Sequence, residues 1–139
     1  MQADYRAVLA VAIGGAAGSL ARYGMNIFVQ NQVSVEFPLG TAVINVSGSM
    51  LLGFLMRFAL DTTLLTPEAR LLLTTGFCGG YTTFSTFSYD VLQLVQRAAY
   101  GRASLYVVGS VVLSIAGAAL GFEGARRLVL LARRGAWPI

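Results

Sequence analysis

Four long apolar runs, separated by short polar segments, constrain what this chain can fold into more than any other feature. They cover residues 5–29, 39–60, 68–96 and 103–122. A helix needs about 20 mainly apolar residues to cross the roughly 30 Å hydrocarbon core of a bilayer, so each run is long enough for one crossing. Hydrophobic residues form 56% of the 139 residues and charged residues only 12%, unlike the composition of soluble domains. We therefore predict an all-α membrane protein, a single domain of four transmembrane helices.

The basic residues are all arginines, and most of them flank the apolar runs or lie in the Arg-rich tail over residues 123–139. The net charge of +4 could indicate nucleic-acid binding, but positive charge at the ends of apolar runs is the pattern that sets membrane topology. We therefore expect no nucleic-acid partner. The chain has no histidine, the commonest general base, and its single cysteine, Cys78, lies inside an apolar run as a small hydrophobe. We predict that the protein is not an enzyme.

The third apolar run differs from the others because glycines and hydroxyl residues are concentrated at its centre. Three glycines occur between Gly76 and Gly80, and the residues that follow read YTTFSTFS, ending at Ser88. Such a composition is poor material for an uninterrupted helix, so we predict a break between Gly76 and Ser88. Non-helical backbone at membrane depth is tolerated only where protein or a water-filled cavity surrounds it. The predicted break therefore marks a candidate functional centre.

Most polar side chains within the apolar runs can donate hydrogen bonds, whereas Asp90 is the only carboxylate near the interior of a run. A transporter of cations or protons is expected to carry Asp or Glu at depth, so this set of donors favours an anion. Three hydroxyls in the last run recur every four residues and share one helix face, which suits either an anion ladder or helix packing. The donors are Arg22, Asn45, the threonine and serine hydroxyls of residues 82–88, Tyr106, Ser110 and Ser114.

Three further residue types have both a structural and a functional interpretation. Phe84 and Phe87 lie three apart, and their electropositive ring edges could receive an anion, although aromatic pairs in membrane helices also serve packing. The amide of Asn45 could line the path or join two helices. Arg22, near the end of its run, could snorkel to the interface or raise the anion concentration in a vestibule.

The stretch from Gly79 to Ser88, GGYTTFSTFS, resembles the signature GGxTTFSTFS of the CrcB/Fluc fluoride channels. Residues 41–45 (TAVIN) resemble the family's second-helix segment, and the position of Arg22 fits the family pattern too. The resemblance implies a fluoride-selective channel that exports cytoplasmic fluoride across the cell inner membrane by passive electrodiffusion. It also implies an antiparallel, dual-topology homodimer with two separate pores built from both protomers.

The resemblance further implies roles for individual residues. Phe84 and Phe87 correspond to the rings whose edges coordinate fluoride, and Asn45 corresponds to an amide on the same path. The backbone carbonyls of Gly79 and Thr82 from both subunits would hold a structural Na⁺ at the dimer axis. Asp90 replaces the family's usual Glu, and with Arg22 it is assigned to the vestibule. The rest of the expected fluoride pathway consists of Thr41, Thr83, Ser85, Tyr106, Ser110 and Ser114.

Several alternatives stay open on the sequence alone. A small multidrug exporter or a fluoride/proton antiporter fits the size, but Asp4 is too near the terminus to be the acidic residue that such exporters carry in their first helix. A purely structural membrane subunit would explain small-residue pairs such as Gly14 with Gly18, but not the hydroxyl-aromatic run. Four arginines over residues 126–134 bias the topology, so a fixed orientation with an inverted paralogue as partner is the alternative to dual topology.

Overall fold

All regular structure in the described part of the chain is helical. The computed structural model describes residues 4–32 and 37–134. The all-helical class that the sequence predicts is therefore confirmed for these ranges. The elements are α1 (Tyr5–Gln32), α2 (Leu39–Asp61), α3 (Pro67–Leu71), a π-helical segment (Leu72–Cys78), α4 (Gly79–Tyr81), α5 (Phe84–Gln96) and α6 (Tyr100–Arg134).

Three of these helices, α1, α2 and α6, are long and apolar enough to cross a membrane. Only 17% to 22% of the residues in their apolar stretches are buried inside the protein, so apolar side chains form most of their surface. Such a surface is stable in lipid and not in water. The chain is therefore a multi-pass membrane protein. The remaining predicted crossing, residues 68–96, is divided among α3, the π-helical segment, α4 and α5.

Two helices extend further than the sequence predicts. The first continues to Gln32, beyond the predicted end near residue 29, and the last continues through the Arg-rich tail as far as Arg134. Within the tail, Glu123 forms ion pairs with the following turn, and Arg133 Nη2 donates to the Asp61 carbonyl at 2.7 Å. Pairs at this spacing support a helix, and the bond to Asp61 ties its end to α2. Residues 33–36, in the polar segment between the first two predicted runs, and residues 135–139 lie outside the described residues.

Helices α2 and α6 form the most extensive helix pair, and glycines allow their backbones to approach. A Cβ atom on Gly121 would collide with the Met50 carbonyl, and one on Gly53 would collide with the Ala118 carbonyl. Gly117 faces Val46 and Met50 in the same way, one turn earlier. Because the residue numbers of both helices rise together along these contacts, α2 and α6 run parallel. Small residues at close crossings are the usual basis of helix association in membranes.

The glycines of the third run also serve packing, and they do not themselves interrupt the helix. Gly79 and Gly80 lie inside α4, and a Cβ atom on Gly80 would collide with the Gly15 carbonyl of α1. Similarly, a Cβ atom on Gly14 would collide with the Leu72 carbonyl. Close packing against α1 therefore offsets the poor helix propensity of this stretch. It also bears out the packing interpretation of Gly14.

The break itself is two residues long and lies inside the predicted region. After Tyr81 the backbone becomes extended at Thr82 (φ −77°, ψ 158°) and Thr83 (φ −151°, ψ 116°), and α5 begins at Phe84. The hydroxyl of Thr83 accepts a hydrogen bond from the Thr86 amide at 3.2 Å, which is ordinary N-capping geometry. The hydroxyl-rich sequence thus ends one helix and starts the next.

Candidate functional site

The side chain of Asn45, on α2, holds the extended backbone of the break. Its Nδ2 atom donates to the Thr83 carbonyl at 3.0 Å, and its Oδ1 atom accepts from the Thr83 amide at 2.8 Å. One amide side chain therefore satisfies both backbone polar groups of a residue that is 7% exposed. Unpaired peptide groups in a membrane interior cost several kcal/mol each, so this pair of bonds is a condition for the break.

The break also releases two carbonyl oxygens. Because the Thr83 amide bonds to Asn45, the Gly79 carbonyl lacks its usual helical donor four residues later. In the described part of the chain, neither the Gly79 carbonyl nor the Thr82 carbonyl accepts a hydrogen bond. Both residues line a cavity of about 300 Å³, together with Thr75 and Cys78. Free carbonyl oxygens are hard ligands, so the residues expected to hold Na⁺ fit such an ion.

A larger cavity, of about 330 Å³, lies between α2, α6 and the break. It brings together residues that are far apart in the sequence and that the sequence assigned to the fluoride pathway. It also contains Ser49, which the sequence reasoning missed, although its position one turn after Asn45 on α2 was a usable signal. The lining residues are Asn45, Ser49, Leu52, Thr82, Thr83, Phe84, Phe87, Ser110, Val111, Ser114 and Ile115.

The two predicted phenylalanines form one aromatic pair at the wall of this cavity. Their ring centroids lie 5.5 Å apart, with the ring planes tilted by 37°. Phe87 is buried and its ring centroid lies 5.3 Å from that of Tyr106, whereas Phe84 is 78% exposed. One ring is therefore fixed by packing. The other presents a large apolar surface outside the protomer.

The hydroxyl of Ser110 is buried against the same cavity. The residue is 6% exposed, and in the described structure its Oγ atom has no hydrogen-bond partner. Leaving a buried hydroxyl unpaired costs about 1–3 kcal/mol, so native structures keep such a group where a guest or a water supplies the missing bond. Ser110 is therefore a ready donor for a ligand in the cavity.

Tyr106 does not join Ser110 and Ser114 in the cavity, although the three share one stripe of α6. It is 2% exposed, and the ring of Phe37 packs edge-on against its ring, with the two ring centroids 5.6 Å apart. Its hydroxyl donates to Asp90 Oδ2 at 3.1 Å. The structure thus divides the stripe into two serines that line the cavity and a buried tyrosine that does not, and it pairs the tyrosine with the predicted vestibule carboxylate.

A third cavity, of about 240 Å³, contains Arg22 and Thr41, the other predicted residues on α1 and α2. Thr83 lines this cavity as well as the larger one, so both cavities lie beside the break. The predicted residue Ser85 lines neither, and its hydroxyl lies 3.1 Å from that of Thr83. The remaining lining residues are Ser19, Tyr23, Asn26, Ile44 and Thr86.

Comparison with known proteins identifies the family. The family described as CrcB-like protein, Camphor Resistance (CrcB), matches residues 9–122. The fluoride-specific ion channel FluC of Geobacter sulfurreducens is 46% identical over 121 residues, covering 87% of this chain and 98% of the relative. That of Chlorobaculum tepidum is 51% identical over 109 residues, covering 78% and 86%. These relatives are named as channels, which confirms the prediction of a non-enzymatic family. Together with the residues from Gly79 to Ser88, this similarity shows that the chain belongs to the CrcB family.

Proposed function

We propose that this chain is a protomer of a fluoride channel in the cell inner membrane, through which fluoride leaves the cytoplasm by passive electrodiffusion. The observation that carries the proposal is the larger cavity beside the break. Amide and hydroxyl groups converge there with two phenylalanine rings, and no Asp or Glu is among its described lining residues. A donor-rich site without carboxylates favours an anion over a cation. The names of the relatives support fluoride as that anion.

Conduction of fluoride requires many donors in sequence, because each must replace part of a tightly held hydration shell without trapping the ion. Arg22 in the smaller cavity attracts the anion, and Thr83 borders both that cavity and the larger one. There the electropositive edges of Phe84 and Phe87 receive the ion. Ser110 and Ser114 then offer hydroxyls further along α6. A membrane potential that is negative inside drives the anion outward.

We infer that the channel has four crossings per protomer, with residues 67–96 as the interrupted third one, and that it functions as an antiparallel homodimer with two pores. The exposed faces of the interrupted segment support this assembly. Phe84 is 78% exposed and Tyr89 is 59% exposed, while Gly79 opens to the outside of the protomer. A second copy would cover these rings. In such a dimer, Na⁺ would be held by the carbonyls of Gly79 and Thr82 from both protomers, and it would supply a fixed positive charge at the interface.

Fluoride efflux from liposomes that contain the purified protein tests the proposal. With a fluoride electrode and a potassium gradient, efflux is expected only when valinomycin permits potassium counterflow, and chloride is expected not to cross. Phe84→Ile and Phe87→Ile should each sharply reduce fluoride efflux. Phe58→Ile is a suitable control, because Phe58 belongs to a separate stacked pair and lines none of the three cavities described above.

Two results would contradict the proposal. Unchanged fluoride efflux in both ring variants would show that the rings do not contact the ion. Efflux driven by a pH gradient in the absence of valinomycin would indicate fluoride/proton antiport in place of a channel. Cross-linking of cysteine pairs placed to join only antiparallel protomers tests the assembly separately, and failure of this homodimer to form would favour an inverted paralogue as partner.

A further inference from the structure

The hydroxyl of Ser49 on α2 is not used within the protein. Ser49 lines the larger cavity, and among the described residues its hydroxyl takes part in no hydrogen bond. A helical serine can instead return its hydroxyl to a carbonyl three or four residues earlier. Ser47, two residues before, does so: it donates to the Val43 carbonyl at 2.7 Å, and its hydroxyl also lies 3.1 Å from that of Tyr81. Unlike the hydroxyl of Ser47, that of Ser49 is therefore available to a ligand in the cavity.

The packing of α2 against α6 fixes the height of Ser49 along the cavity. Gly117 lies against Val46 and Met50, so it is level with the residues between them. Ser114 precedes Gly117 by three residues, close to one helical turn. Because α2 and α6 run parallel, Ser49 lies about 5 Å further along the bundle than Ser114, by the rise of one turn.

Beyond Ser114, α6 offers no further polar side chain for two turns. Residues 115–122 read IAGAALGF, and the glycines in this stretch are used for contact with α2. The hydroxyl ladder of α6 therefore ends at Ser114. An anion that has left its hydration shell is costly in an apolar passage unless another donor takes over from the last one. Ser49 is the donor on the facing helix at that height.

We propose that Ser49 is a further ion-contacting residue, which continues the hydroxyl ladder from Ser114 of α6 to α2. This inference rests on the proposed fluoride conduction through the larger cavity. The hydroxyl of Ser49 donates to fluoride as the ion leaves Ser114, and the ion then regains water toward the end of α2. No covalent step is involved, so the serine acts only through one transient hydrogen bond.

The test compares fluoride efflux from liposomes for three variants. Ser49→Ala should reduce the fluoride flux about tenfold, the factor that corresponds to one lost hydrogen bond to a charged group. Ser49→Thr keeps a hydroxyl at the same position and should recover most of the flux. Ser47→Ala is the matched control, because that hydroxyl is already used within the protein, and its flux should equal that of the unmodified channel.

The outcomes separate this inference from the proposed function. If the unmodified protein conducts fluoride and Ser49→Ala conducts equally well, the role of Ser49 is refuted while the channel stands. Absence of fluoride conduction by the unmodified protein would refute both. Melting temperatures in detergent provide the structural readout. A loss of flux in Ser49→Ala that accompanies a lower melting temperature, and that Ser49→Thr does not recover, would assign Ser49 a packing role and overturn the inference.

Discussion

Replacement of Asn45 by Ala should destabilise the protein, because the Asn45 side chain holds the backbone at the break in the third apolar run. The substitution removes the acceptor of the Thr83 amide and a donor to the Thr83 carbonyl, which lie at 2.8 Å and 3.0 Å from the Asn45 side chain. The Thr83 carbonyl, at the N-cap of α5, still accepts the first bond of that helix, so only the Thr83 amide is left without a partner. A buried polar group without a partner costs about 1–3 kcal/mol, and we expect a decrease of that size in the free energy of unfolding.

The assay is unfolding in mixed detergent micelles titrated with sodium dodecyl sulfate, followed by circular dichroism. Asn45→Asp separates the two bonds, because a carboxylate can still accept from the Thr83 amide but cannot donate to the carbonyl. Its stability should also be lower than that of the unmodified protein, because the carboxylate faces the Thr83 carbonyl and carries a charge that is costly at membrane depth. Ser47→Ala on the same helix controls for the loss of a polar group there. An unfolding midpoint for Asn45→Ala equal to that of the unmodified protein would refute this account of the break.

Two other substitutions test the packing of α6 against α2 and the hydrogen bond of the buried Tyr106. Gly121→Ala places a methyl group against a carbonyl of α2 and should lower the free energy of unfolding by about 1–3 kcal/mol. Gly124→Ala meets nothing within 4 Å and should leave stability unchanged or slightly higher; an equal loss in both variants would contradict the close approach of the helices. Tyr106→Phe removes the donor to Asp90 and should lower the melting temperature, while replacement of the exposed tyrosine at the start of α6, Tyr100→Phe, should not. Identical melting curves for the two tyrosine variants would rule out a stabilising bond to Asp90.

The helical class and the position of the break follow from local properties of the sequence. Apolar run length determines which segments can cross a bilayer, and a hydroxyl-rich stretch disfavours a continuous helix. The full length of α6 could not be predicted in this way. Beyond Phe122, Ala125 and Val129 are buried, and Arg133 bonds to the Asp61 carbonyl, which lies far away in the sequence. Such tertiary contacts stabilise a helix that the charged composition of the tail does not indicate.

The candidate site shows the same division between local and tertiary information. Asn45, Thr83 and Ser110 could be selected because of their donor chemistry and the family resemblance, and the structure places them at one cavity. The separation of Tyr106 from the serines of its stripe could not be predicted, because it depends on Phe37, which reaches the tyrosine from the start of another helix. The spacing of residues along a helix gives the helix face on which each one lies, but not which parts of the protein cover that face.

The parallel pairing of α2 with α6 has a consequence for how the protein is made. The second helix leaves the ribosome before the interrupted third run, whereas the helix that covers Gly53 leaves after it. Until then, the glycine face of α2 is open to lipid, and the larger cavity lacks the wall that carries Ser110. Contacts between such distant parts of a chain form late in folding. The larger cavity can therefore be completed only after α6 has left the ribosome, and a chain truncated before α6 has no means of building it.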